Sequence, residues 1–139
     1  MATKESLGKI MKNIIKGYGG LEYIRITFKG KTLPHEKLKE LEREMGKIII
    51  QNKPLRGKEV KFLRKTLGLS LGKLVVRMQG MVDQSTVSRW EQKGEERLSP
   101  ANESLMRSFF AYEFKVNLRA IPKILVPAES EDFVEIRAA

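Results

Sequence analysis

The sequence predicts a mainly α-helical protein, and three patterns carry that prediction. Between Val60 and Tyr112 apolar residues recur at helical spacing in four short segments, each bounded by a capping residue or a glycine. Upstream, two helical patterns flank one short alternating segment, so 1–53 reads as helix, strand, helix. Downstream, two apolar runs separated by Pro127 to Asp132 read as a short β-hairpin or as an arm docked on the rest of the molecule. The expected organisation is therefore an N-terminal region over 1–53, a domain of four to five short helices over 54–118 and an arm or hairpin over 119–139. A length of 139 residues suits one compact core with a modest extra region and would crowd two full-size domains.

Taken in order, Leu7, Ile10, Met11, Ile14 and Ile15 predict a short amphipathic helix that Gly17, Gly19 and Gly20 end. From Leu21 the period becomes two. Ile24, Ile26 and Phe28 share one face, Tyr23, Arg25 and Thr27 the other, and Lys29-Gly30-Lys31 supplies a turn: a strand, or half a hairpin. Pro34 is placed to open the next helix, down which Leu38, Leu41, Met45, Ile48 and Ile49 draw one apolar stripe. Gln51 to Gly57, with Pro54, breaks the pattern. Of the four helices beyond it, the first carries Val60, Leu63 and Leu67 and closes at Gly68. Ser70 caps the second, with Leu71, Leu74, Val75 and Met78 inward. Asp83 caps the third, which stops at Lys93-Gly94. Ser99-Pro100 opens the fourth, with Leu105, Met106, Phe109, Phe110 and Tyr112.

Composition narrows the function. Lys and Arg number 27 against 17 acidic residues, a net charge of +10 that favours a polyanionic partner. The tail, with 2 basic and 4 acidic residues over 121–139, is excluded from a phosphate-facing surface. The absence of cysteine rules out disulfides and thiolate metal sites. No apolar run approaches the roughly 18 residues of a membrane helix, and Lys9, Lys12 and Lys16 interrupt any signal-peptide core, so a cytoplasmic protein without membrane partners is expected.

The third helix has the layout of a groove-reading helix in a helix-turn-helix. Val87 and Trp90, three apart, anchor it; Gln84, Ser85, Ser88 and Arg89 face away, and Thr86 lies at the margin. Gln and Arg side chains can each make two hydrogen bonds to a base edge. Ser70, Lys73 and Lys93 complete the expected DNA-facing set, while Arg56, Lys58 and Arg97 are candidate phosphate clamps on either side.

Phe62-Leu63-Arg64-Lys65-Thr66-Leu67-Gly68-Leu69-Ser70 followed by Ser85-Thr86-Val87-Ser88-Arg89-Trp90-Glu91 resembles the phage-repressor-like, Xre-type helix-turn-helix family. The resemblance implies that Arg64 pairs with Glu91, tying the first helix to the recognition helix, and that Trp90 fills the core. Gly20-Leu21-Glu22-Tyr23 and Leu55-Arg56-Gly57-Lys58-Glu59 extend it toward the MqsA-type antitoxins, whose members repress their own operons as dimers and neutralise a toxin. Their cysteine-based zinc domain has no counterpart here. Two further departures are Leu71-Gly72 after Ser70, where the family has Gln, and a Met78 to Val82 turn about two residues longer than usual.

The expected function is that of a sequence-specific, dimeric DNA-binding repressor with an antitoxin-like character, whose partners are double-stranded DNA, a second copy and a toxin. The alternative is a protein-interaction module on a helix-turn-helix scaffold. RNA binding ranks low, because aromatics make up 7% and no stacking platform is evident. No enzyme, cofactor or metal is expected: the single histidine, His35, sits in a helix's first turn without a carboxylate triad. Glu129, Glu131, Asp132 and Glu135 read as a solvated loop and strand edge, or as an arm that meets a basic surface. The Leu38 to Ile49 stripe is core or a dimer interface.

Overall fold

A computed structural model describes residues 12–30, 32–117 and 134–137. Among them run strand β1 (Lys12–Lys16), a 3-10 turn (Tyr18–Gly20), strand β2 (Ile24–Lys29), helices α1 (His35–Asn52), α2 (Gly57–Thr66), α3 (Leu71–Arg77), α4 (Gln84–Lys93) and α5 (Pro100–Glu113), and strand β3 (Val134–Arg137). The protein is mainly helical, as expected, with a small three-stranded sheet in the order β1-β2-β3. Two compact units divide the chain: the three-stranded sheet with α1 as far as Glu42, and a helical unit from Arg43 through α5.

In the first unit β1 pairs antiparallel with β2, Lys12 opposite Lys29 and Ile15 opposite Ile26. The helix expected over Leu7 to Ile15 is thus corrected to a strand at 12–16; Leu7, Ile10 and Met11 lie outside the described residues. Ile14 and Ile15 read as part of a helical stripe, yet both side chains remain exposed, so burial gives a helix there no advantage. Their β-branches suit a strand, and β2 supplies the backbone partners. The glycines expected to end a helix instead make the hairpin turn: Gly17, Gly19 and Gly20 all have φ between 68° and 79°, which only glycine adopts without strain. Ile24, Ile26 and Phe28 are buried as the alternation predicts, and Tyr23, expected on the other face, is buried too.

The partner of β3 decides between the two readings of the C-terminal segment. Of the two readings of the tail, hairpin or docked arm, the described strand agrees with the arm: β3 lies parallel to β2, with Ile24 opposite Val134 and Ile26 opposite Ile136. The remainder of 118–133 and the tail lie outside the described residues. On α1, the Tyr18 hydroxyl donates to Glu42 at 2.5 Å, and burial followed by that bond pushes the Tyr18 pKa well above its ordinary value.

The helical unit begins within α1, not at the 51–57 break, because the second half of that helix packs on α5. Gly46 lies against the Phe114 ring so closely that a Cβ would sit 2.4 Å from it, and the Arg43 guanidinium lies 5.5 Å from the same ring's centroid. Of the stripe read as core or dimer interface, Leu41, Met45 and Ile49 are buried within one chain, with Ile50 beside them, while Leu38 and Ile48 are half-buried. Arg107 of α5, fully buried, donates to the carbonyls of Ile50 and Lys53 at 2.6 and 3.0 Å. It thereby satisfies acceptors that the end of α1 leaves open.

Arg107 also donates to Glu103 at 2.7 Å, and Arg97 donates to the other carboxylate oxygen at 2.7 Å. Burial works to raise the Glu103 pKa, but the two hydrogen bonds prevail and hold it below the usual range. A carboxylate whose folded pKa is depressed contributes stability above its unfolded pKa, and that stability disappears as pH falls through the folded value. We expect urea midpoints of wild type and Glu103→Gln to differ most near neutrality and to converge as pH falls below the ordinary glutamate value and through the lowered folded one. A difference independent of pH would assign the carboxylate no such role.

The caps read at Ser70 and Ser99 are present. Ser70 accepts from the Lys73 N–H and Ser99 from the Asn102 N–H, with Pro100 in the first turn. At α2 the Glu59 carboxylate reaches back to the Arg56 N–H at 2.8 Å. Gly68 has φ 72° and donates to Lys65 while Leu69 donates to Arg64, closing α2 in a Schellman motif.

Candidate nucleic-acid interface

Helix α4 starts after Asp83, whose extended backbone makes it the N-cap. The Asp83 carboxylate accepts a hydrogen bond from the Ser85 hydroxyl and caps no backbone N–H. With its proton so engaged, Ser85 presents oxygen lone pairs to solvent. Gly94 ends the helix at φ 60°, its N–H donating to Trp90 at 3.0 Å.

The inner side of α4 is held by one core residue and one ion pair. Val87 is fully buried. Arg64 on α2 donates to both oxygens of Glu91, each at 2.8 Å, and to the Leu69 carbonyl at 2.8 Å. The pairing that the resemblance implied is therefore present as a fork-to-fork bond, the geometry that resists rotation of either side chain. The Glu91 hydrogen bond raises the Arg64 pKa against the opposing effect of burial, so the charge is secure. Trp90, expected in the core, is half-buried. It lies in the last turn of α4, where what meets α2 is its own carbonyl against Gly57. Partial burial is common for so large a side chain.

On the outer side Gln84, Ser85, Arg89, Gln92 and Lys93 are exposed, while Thr86 and Ser88 are half-buried. Ser88, expected to face away, sits only about 100° from Val87 around the helix and so falls at the margin. Arg89 donates to the Thr86 hydroxyl at 3.4 Å. Sequence reasoning missed Gln92, although its place seven residues after Ser85 and three after Arg89 puts it on the same stripe.

The start of α3 comes beside the start of α4: a Cβ on Gly72 would lie 3.6 Å from the Gln84 Oε1. Exposed Ser70, Lys73 and Gln84 thus share one surface. The longer connection read at Met78 to Val82 is a Schellman closure of α3, in which Gln79 donates to Val76 and Gly80 to Val75. Gln79 and Gly80 take φ of 56° and 74° in succession, which turns the chain before Met81 and Val82 lead into α4.

The expected phosphate clamps are engaged inside the chain. Arg56 pairs with Glu59 and Glu95, Lys58 with Glu95 at 2.6 Å, and Arg97 with Glu103 at 2.7 Å. Lys93 makes a longer, exposed pair with Glu96 at 3.6 Å. Among the described residues Lys73 and Arg89 make no ion pair, which leaves their charges available to a partner at this surface. His35 is exposed in the first turn of α1, and among the described residues no three of His, Cys, Asp and Glu gather as metal ligands would. No helix among them is long and apolar enough to cross a membrane.

Compared with protein-family models, curated proteins and solved structures, the chain has no significant match.

Proposed function

We propose that this chain is a sequence-specific DNA-binding transcriptional regulator of the cytoplasm. In this reading it acts as a dimeric repressor of its own operon with an antitoxin-like character, and it performs no catalysis. One observation carries the reading: the polar stripe of Gln84, Ser85, Arg89 and Gln92 on a helix whose opposite side is locked by Val87 and the Arg64–Glu91 pair. A rigidly seated helix with exposed Gln and Arg has what major-groove readout requires. Arg can grip guanine O6 and N7, and Gln can grip adenine N6 and N7. Lys73 and Ser70 beside Gln84 supply phosphate contacts that set the register without reading sequence. Net charge of +10 supplies the long-range attraction.

The test is fluorescence anisotropy on a duplex from upstream of the gene and on a scrambled duplex, at physiological and raised salt. Preference for the first that survives added salt is expected, because attraction to phosphate alone collapses as counterions compete. Arg89→Ala should lose about 1–3 kcal/mol of that preference while keeping the salt-sensitive part of the affinity. Equal, salt-labile binding of wild type to both duplexes would favour the protein-interaction reading instead.

A further inference from the structure

The sheet has a face of its own, apart from the stripe on α4. Ile24, Ile26 and Phe28 are buried, so Arg25, Thr27 and Lys29 lie on the opposite side of β2. In register with these three stand Lys16, Ile14 and Lys12 of β1, and on β3 Glu135 stands opposite Arg25 and Arg137 opposite Thr27. Cations thus hold most positions of this face, and its one acidic position is already beside an arginine. Lys16 and Lys29 are exposed, and among the described residues neither makes an ion pair.

The register sets like charge against like at both ends of the β1–β2 ladder, Lys12 opposite Lys29 and Lys16 opposite Arg25. Residues directly opposite each other on antiparallel strands have Cβ atoms about 5 Å apart, and like charges there work against the sheet. Four residues separate the two pairs along each strand, a distance of about 14 Å. What relieves both pairs is an anion that reaches both ends at once. A nucleic-acid backbone does so whatever its sequence, since each strand of a duplex brings a charge about every 3.4 Å of its axis. The middle of the face does not suit a protein, whose contact closes on a desolvated apolar and aromatic core. Here a single isoleucine, Ile14, 56% exposed, stands opposite Thr27.

We propose that this face of the sheet binds the phosphate backbone of nucleic acid without reading its sequence. The contact goes beyond that of α4, which discriminates between sequences, whereas the sheet adds affinity to all of them alike. Lys16 and Lys29 are the residues that meet phosphate.

Fluorescence anisotropy on the scrambled duplex over a salt series tests it, in the full chain carrying Lys73→Ala and Arg89→Ala so that the α4 surface lacks its unpaired cations. Adding Lys16→Ala and Lys29→Ala should lower the slope of log affinity against log salt by about 1 for each lysine. Lys39→Ala with Lys61→Ala removes the same charge from exposed helix positions and should leave the slope unchanged. Lys29→Glu, which sets an acid opposite Lys12, should weaken binding and yet raise the melting temperature, as expected of a lysine that serves a ligand and not the fold. A slope that the sheet variants leave unchanged, or that the helix pair lowers equally, overturns the proposal. So does binding of poly-glutamate that Lys16→Ala and Lys29→Ala abolish while duplex binding persists, which would give the face to an acidic protein. The two readings fail separately. Operator preference with no sheet-dependent slope leaves α4 as the reader and removes the sheet, and a sheet-dependent slope without operator preference does the reverse.

Discussion

Arg64→Ala should lower the stability of the helical unit by about 4 kcal/mol, within the range for removing one partner of a buried ion pair. The loss exceeds that of an ordinary surface bridge because Arg64 is buried and the Glu91 side chain is only 7% exposed. Alanine leaves that carboxylate without a counterion and the Leu69 carbonyl without its donor. Urea unfolding followed by circular dichroism reads the effect. A paired control separates the stranded charge from lost packing: Arg64→Met combined with Glu91→Leu removes both charges and should recover most of the stability. If the single variant costs less than about 1 kcal/mol, the range of a solvent-screened pair, the clamp is not what seats α4. On the proposed DNA-binding reading, operator affinity should fall in Arg64→Ala even where the protein remains folded, because the angle of α4 depends on the same two hydrogen bonds.

Gly57→Ala should cost about 3 kcal/mol and lower Tm by roughly 10 °C. A Cβ at residue 57 would lie 1.7 Å from the Trp90 carbonyl oxygen, 2.5 Å from its carbon and 3.1 Å from the Glu91 nitrogen. All three are backbone atoms, so no rotamer change relieves the clash and the first turn of α2 must move away from the last turn of α4. That movement would disturb the Gly57 N–H bond to Glu96 and the Lys58 N–H bond to Gly94. Gly72→Ala is the contrasting case. Its nearest neighbour is a side-chain oxygen at ordinary contact distance, so Ala in a helix should be neutral or stabilise by up to about 1 kcal/mol. Thermal melts of the two variants side by side check both statements, and equal behaviour would show that the α2–α4 approach is looser than the geometry indicates.

Much of this molecule was legible in the chain because the signals are local. Ser70 and Ser99 cap helices through bonds to residues three positions on, Gly68 and Gly94 end them through their own backbone freedom, and the period of 3.6 marks α1 to α5. The exposure of Gln84, Ser85 and Arg89 followed from the same period once Val87 was placed inward. The stripe at Leu41, Met45 and Ile49 was legible as apolar, but whether it met the same chain or a second copy was not.

What periodicity could not supply were outcomes of competition between distant parts. Lys12 to Lys16 carries isoleucines that fit a helical stripe, and β2 converts the segment to a strand by offering backbone partners along its length. Val134 to Arg137 pairs parallel with β2 across the whole helical unit, a choice made between partners more than a hundred residues apart. Arg56, Lys58 and Arg97 are cations like any other in the sequence, and only their folded neighbours, Glu59, Glu95 and Glu103, take them out of the surface offered to phosphate. Helix limits and the identity of the exposed α4 stripe thus follow from short-range hydrogen bonding and spacing. Strand partners, the closeness of Gly57 to Trp90 and the charges left available beside α4 depend on which surfaces the fold brings within a few ångströms of one another.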